Sequence, residues 1–153
     1  MKKTRVMVFG TFDGLHKGHL DFFKQARALK FLVPGQAKSF IENSFLIVSI
    51  ARDKNVIKIK GRKTRLSEKE RLALVKKCSL VDKAILAGTN KYLSHILKER
   101  PDIIALGYDQ KAYVQELKKD IKNMGISIKI IRLKPYKEHT YKNHLIYKKN
   151  LVK

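Results

Sequence analysis

The chain has 153 residues, enough for one domain with a real core and short for two. Its 44% hydrophobic and 31% charged residues suit a globular protein, no apolar run approaches the roughly 18–20 residues that span a bilayer, and the single Cys78 excludes an internal disulfide or a cysteine-rich metal site. Lys and Arg number 35 against 13 Asp and Glu, and the resulting +22 is a field that draws nucleic acid, anionic membrane or phosphate-rich small molecules.

Met1 to Arg5 is basic but leads into a short apolar run without a cleavage pattern, so a cytoplasmic protein is expected. Arg5–Phe9 reads as a buried strand ending at Gly10. From about Gly18 to Phe31, Leu20, Phe23, Ala26 and Leu29 recur at helical spacing. The segment from Leu32 to Ser44, broken by Pro34-Gly35, is long for a connection and reads as a lid, a dimer contact or surface elaboration. Phe45–Ile50 is a second strand, followed by a basic stretch from Arg52 to Arg71 with nine Lys/Arg against three acids. Ser67 and Glu70 form a capping box that opens a helix to about Lys77, and Cys78, beside Leu74, Val75 and Leu80, reads as a buried small apolar residue. Ala84–Ala87 is a third strand, Tyr92–Arg100 a helix stopped by Pro101, and Asp102–Gly107 a fourth strand. A helix over Lys111–Met124 points Val114, Leu117, Ile121 and Met124 inward and ends at Gly125; Ile126–Leu133 is a fifth strand. From about 134 a basic tail follows.

Continuously apolar strands separated by helices predict a parallel sheet covered on both faces, that is, a single doubly wound, Rossmann-like α/β domain over 1–153. In the order 3-2-1-4-5, strands one and four are neighbours where the winding reverses, and such sheets bind ligands there, at the strands' carboxyl ends. Two strands end in glycine followed by polar residues, at Gly10-Thr11-Phe12-Asp13 and Gly107-Tyr108-Asp109-Gln110, so both loops should line one pocket. In the first, Gly10 permits a sharp turn and close approach of a phosphate, and His16, Gly18 and His19 open the following helix, whose amino end attracts anions. Two imidazoles aimed at one place can donate to phosphate oxygens; a metal site or an ordinary structural pair are the other readings, and no matched Cys or carboxylate set supports the metal.

The string Gly-Thr-Phe-Asp-Gly-Leu-His-Lys-Gly-His, residues 10–19, closely resembles the signature of the cytidylyltransferase-like nucleotidyltransferases. Ile59–Lys63, Glu70-Arg71, Val81-Asp82 and Ala105–Gln110 are similar to the archaeal-type FAD synthases, which are FMN adenylyltransferases; the glycerol-3-phosphate cytidylyltransferases usually have Gly-Asp-Asp-Trp in place of Gly107–Gln110. The resemblance implies transfer of an NMP from an NTP to a phosphorylated acceptor with release of pyrophosphate. ATP and FMN are favoured over CTP and glycerol 3-phosphate. It implies catalytic roles for His16, His19, Lys60 or Lys63 on a mobile basic loop, and Arg71. It places Gly10, Thr11, Phe12, Asp13, Gly18, Gly107, Tyr108 and Asp109 around the nucleotide. Mg²⁺ is expected with the NTP, held mainly by phosphates, with no metal site of the protein's own. Asp13 has two readings, aiding that metal or holding the loop, and Tyr108 has two, contacting the base or ribose or simply packing.

Two departures bear on the acceptor. Ser79 stands where the family has an arginine, and of the Ser-Thr-rich turn after the last strand only Thr140 remains. Thr140 and Lys142 are the acceptor-binding candidates, with Tyr136, Tyr141 and Tyr147 available to stack on a flavin; a basic tail on the surface is the competing reading. A nucleic-acid-binding protein would explain the charge but not His16, Gly18 and His19, and no RNA- or DNA-binding motif is present. The family's frequent dimers suggest a homodimer.

Overall fold

The computed structural model describes residues 3–29, 44–88 and 92–136. The leading strand β1 (Thr4–Gly10) is followed by α1 (Lys17–Ala28), β2 (Ser44–Ile50), α2 (Asp53–Lys60), α3 (Glu68–Lys76) and β3 (Lys83–Leu86). Then come α4 (Tyr92–Glu99), β4 (Ile103–Leu106), α5 (Val114–Asn123) and β5 (Lys129–Arg132). The five strands form one sheet in the order β3-β2-β1-β4-β5, every pair parallel, as the alternation of apolar runs and helices requires.

Val6, Met7 and Val8 are all fully buried, which only a sheet covered on both faces permits. Val6 and Val8 face a core with Phe23 and Ala26 of α1 and Val75 of α3. Met7 faces the other, with Ile96 of α4 and Val114, Leu117 and Ile121 of α5. Ion pairs lock the amino ends of the strands. Arg27 meets Asp82 at 2.6 Å while Asp82 accepts the Leu46 N–H, and the buried Glu99 takes Lys83 at 2.8 Å and Arg5 at 3.6 Å.

Several sequence expectations need correction. The stretch after β2 is helical: α2 occupies Asp53–Lys60 and stops at Gly61, whose φ of 72° is the left-handed turn glycine tolerates. Leu20 is 37% and Met124 53% exposed, so neither belongs to the core. Leu20 lies in the first turn of α1, and Met124 caps α5 beyond its last turn, where the apolar periodicity has outrun the sheet. Cys78 is half-buried, packed against the first core rather than inside it. Helix α5 starts at Val114, because Tyr113 at φ 61° cannot be helical, and β5 pairs only over Lys129–Arg132. Among the described residues no helix is long and apolar enough to cross a membrane. Thr140, Lys142, Tyr141, Tyr147 and the segment 32–43 lie outside the described residues.

Candidate active site

The loops at the carboxyl ends of β1, β2 and β4 meet where the winding reverses. Gly10 closes β1, and its carbonyl accepts the Ala51 N–H after β2 at 2.9 Å. A Cβ at Gly10 would stand 2.6 Å from the ring of Phe12, which folds back beneath the loop with φ 55°. Phe12 packing is thus one reason for glycine at position 10, beside the phosphate approach argued from the sequence. Phe12 itself is buried, set edge-on to His19 at 5.3 Å and tilted on Phe23 at 5.5 Å. It supports the His19 ring from below.

His16 is the N-cap of α1. Its Nδ1 accepts the Gly18 N–H at 3.0 Å and the His19 N–H at 3.4 Å, and His19 Nδ1 accepts the His16 N–H at 3.3 Å. Imidazoles thus do the work that Ser and Glu do in an ordinary capping box. The two rings stack with centroids 3.8 Å apart. A neutral imidazole has one acceptor and one donor nitrogen, so an accepting Nδ1 leaves the proton on Nε2. Burial lowers the His16 pKa; burial, then the charges of His16 and Lys60, lower that of His19 to about 3. The site therefore holds two neutral rings with Nε2–H donors, at the positive end of a helix dipole. Gly18 contributes its N–H to the cap.

Lys60 is the last residue of α2, and its Nζ donates to Thr11 Oγ1 at 3.2 Å across the first loop. Burial and the Arg62 charge lower its pKa, while Asp109 and Asp13 act in the opposite sense, which places Asp109 within electrostatic reach of Lys60. Lys63 is exposed on the following turn. This basic segment, read from the sequence as a mobile loop, is bonded to the first loop at Lys60, Arg65 and Leu66. Asp13 accepts the Arg65 and Leu66 N–H groups, both at 2.8 Å, so its carboxylate holds this loop, one of the two readings left open above. Arg71, fully buried, donates to Thr11 O at 2.7 Å, Leu66 O at 3.3 Å and Asp53 Oδ1 at 2.7 Å. Its guanidinium lies under the loops on protein oxygens and ties Thr11, Leu66 and Asp53 together.

Across the switch point, Gly107–Gln110 form a turn closed by Gln110 N–H to Gly107 O at 3.1 Å. Gln110 Oε1 accepts the Gly107 N–H at 2.8 Å and Nε2 donates to Phe9 O at 2.8 Å. Arg132, the last residue of β5, donates from Nη1 to Gly107 O at 2.8 Å and Gln110 O at 2.7 Å. Tyr108 is half-buried and Asp109 exposed in this turn. Sequence reasoning quoted Gln110 without giving it a role, although a Gln three residues after a strand-ending Gly can cap its own turn. Arg132 carried no signal beyond its charge, because its partners are 22 to 25 residues away. On α1, the Gln25 amide grips both main-chain groups of Lys134, at 3.0 and 2.9 Å, and so holds the chain leaving β5.

The structure thus brings His16, His19, Gly18, Thr11 and Lys60 to one mouth, with Gly107, Tyr108 and Asp109 on the neighbouring turn. No group of three or more metal-ligating side chains forms among the described residues.

Comparison with known proteins agrees with this arrangement. A family model described as cytidylyltransferase-like matches residues 7–147. The FAD synthase of Korarchaeum cryptofilum is 39% identical over 129 residues, covering 84% of this chain and 80% of that protein. The FAD synthase of Methanosarcina acetivorans is 41% identical over 136 residues, 88% of this chain and 80% of that protein. A crystal structure from Thermoplasma volcanium, described as a lipopolysaccharide core biosynthesis protein, superposes with a TM-score of 0.72 at 36% identity, covering 87% of this chain and 98% of the other.

Proposed function

The chain belongs to the cytidylyltransferase-like family and is a nucleotidyltransferase, and from that premise we propose that it adenylylates FMN, converting ATP and FMN to FAD and pyrophosphate. The observation that carries this reading is the pair of neutral imidazoles whose Nδ1 atoms are committed to the helix cap, which puts the proton of each ring on Nε2, with Lys60 close enough for its charge to act on His19.

A phosphate oxygen of FMN attacks the α-phosphorus of ATP in line. The new P–O bond forms as the bond from the α-phosphorus to the bridging oxygen breaks, and the electron pair leaves with pyrophosphate. His16 and His19 donate to the phosphate oxygens on which charge accumulates, an electrostatic role that needs no proton transfer. Because the donors are neutral and fixed, they favour the charge that develops rather than simply binding an anion tightly. Lys60 closes over the triphosphate from the other side, and its bond to Thr11 is the one exchanged for phosphate. Gly107, Tyr108 and Asp109 border the nucleoside.

Mg²⁺ supplies charge neutralisation of the leaving pyrophosphate. With both Asp13 oxygens accepting main-chain N–H groups, the residues present fit an ion carried mainly by the triphosphate, with Asp109 an exposed carboxylate whose charge reaches Lys60.

The test is pyrophosphate release with Mg²⁺ and each pairing of ATP or CTP with FMN or glycerol 3-phosphate. Release with ATP and FMN, accompanied by FAD, is expected. Release only with CTP and glycerol 3-phosphate would reassign the acceptor and the nucleotide.

A further inference from the structure

Strands β1 and β4 pair over Val6–Val8 and Ile103–Ala105, and the register ends there. Beyond it the strands must part to open a crevice, which leaves Phe9 O and Gly107 N facing a gap that neither can span alone. The Gln110 side chain fills that gap. Its Oε1 takes the Gly107 N–H and its Nε2 donates to Phe9 O, both at 2.8 Å. A side-chain amide has therefore replaced a peptide group as the next rung of the ladder. We propose that Gln110 is a positioning residue: it sets the distance between the turn that borders the nucleoside and the loop that carries the phosphate donors, and so determines nucleotide affinity.

The chemistry of the position restricts what can occupy it. Glutamate keeps the acceptor for Gly107 N–H but sets an oxygen against the Phe9 carbonyl. Asparagine has the right groups and is one methylene short. Methionine fills the space and spans nothing. The turn is also held from outside, since Arg132 Nη1 donates to Gly107 O and Gln110 O. Gln110 fixes the turn against β1 and Arg132 fixes it against β5, on opposite sides of the nucleoside-bordering residues.

The inference rests on the reading that Gly107–Asp109 border the nucleoside, and its test does not require FMN turnover. Binding of AMP, which reports the nucleoside end, and of inorganic pyrophosphate, which reports the histidine end, is measured by calorimetry on wild-type, Gln110→Glu and Gln110→Met proteins. Losing the amide rung and leaving the Phe9 carbonyl unpaired should weaken AMP about tenfold, with pyrophosphate affinity unchanged. In turnover, KM for ATP should rise by about the same factor while kcat and KM for FMN stay within about threefold. Should these substitutions prevent folding, Gln110→Asn, which keeps both amide groups but is one methylene too short for the rung, is the second variant, and the same split in its binding constants is expected. Equal losses of AMP and pyrophosphate affinity, or no change in AMP affinity in a folded variant, would overturn the proposal. A wild-type protein that binds AMP but forms no FAD would instead refute the acceptor assignment and leave this inference standing.

Discussion

His19 titrates at about 3 because its ring is buried against Phe12 and His16 with Lys60 nearby. The His16 pKa is lowered as well, by burial. Neither ring gains a proton near neutrality, so turnover should show no acid limb from these histidines between about pH 6 and 8. A kcat profile with a limb centred near the ordinary histidine value of 6.5 would contradict this. The same shift has a consequence for stability. Below 6.5 the unfolded chain binds a proton that the folded His19 refuses until about 3, so the unfolding free energy should fall as pH drops through that window and level off above it. Urea titrations at several pH values measure the slope, and His19→Ala should flatten it. The same substitution should reduce kcat by about 10²–10³ if Nε2–H stabilises transition-state charge. Residues 16 and 19 were legible in the sequence as a pair aimed at one place at the start of α1. Which nitrogen donates was not, because it depends on the N–H groups that each ring accepts.

At the level of elements, the first loop and α2 with the turn after it work as one unit. Asp13 holds the Arg65–Leu66 backbone, and Arg71 holds Thr11 and Leu66 from beneath. Arg71→Met removes a fully buried charge and leaves the Thr11 carbonyl unpaired. The expected loss is about 2–3 kcal/mol by denaturant titration, with a further rise in KM for ATP as the first loop loosens. Loss of turnover with unchanged stability would instead support the catalytic role that the resemblance assigned to Arg71. Gly10→Ala forces a methyl into the Phe12 ring and should cost about 1–3 kcal/mol through overpacking, even though the site is charged and solvent-facing. The five strands and the Ser67 N-cap were legible because apolar periodicity and cap chemistry are local signals, although of the expected capping box only the Glu70 N–H to Ser67 Oγ half forms. Helix α2 was not. Only Val56 of its residues is buried, and its many lysines resemble a solvated loop. The packing reason for Gly10 was not legible either, since the ring that a Cβ would strike curls back from Phe12.

The molecule as a whole places its ends in different service. Ion pairs such as Arg27 with Asp82 and Lys83 with Glu99 close the amino edge of the sheet, while the carboxyl edge spends its polar groups on shaping a crevice. The chain carries a net charge of +22, so anionic substrates should be steered toward the molecule. The on-rate-sensitive kcat/KM should then fall several-fold between about 50 and 300 mM salt with kcat little changed, and a salt-independent kcat/KM would argue against steering. The parallel sheet followed from the alternation of strands and helices, and the meeting of the two glycine-ended loops from the assumed order β3-β2-β1-β4-β5, one of the few topologies that doubly wound sheets admit. The Gln110 and Arg132 clamps did not, being contacts between segments that only the folded sheet brings together.

Label transfer tests the central claim most directly. The protein is incubated with Mg²⁺, FMN and ATP carrying ³²P at either the α or the γ position, and the flavin product is separated from phosphate species. The account predicts that α-label appears in FAD and γ-label in pyrophosphate. Appearance of γ-label on the flavin, or no labelled flavin from a protein that still binds ATP, would contradict it.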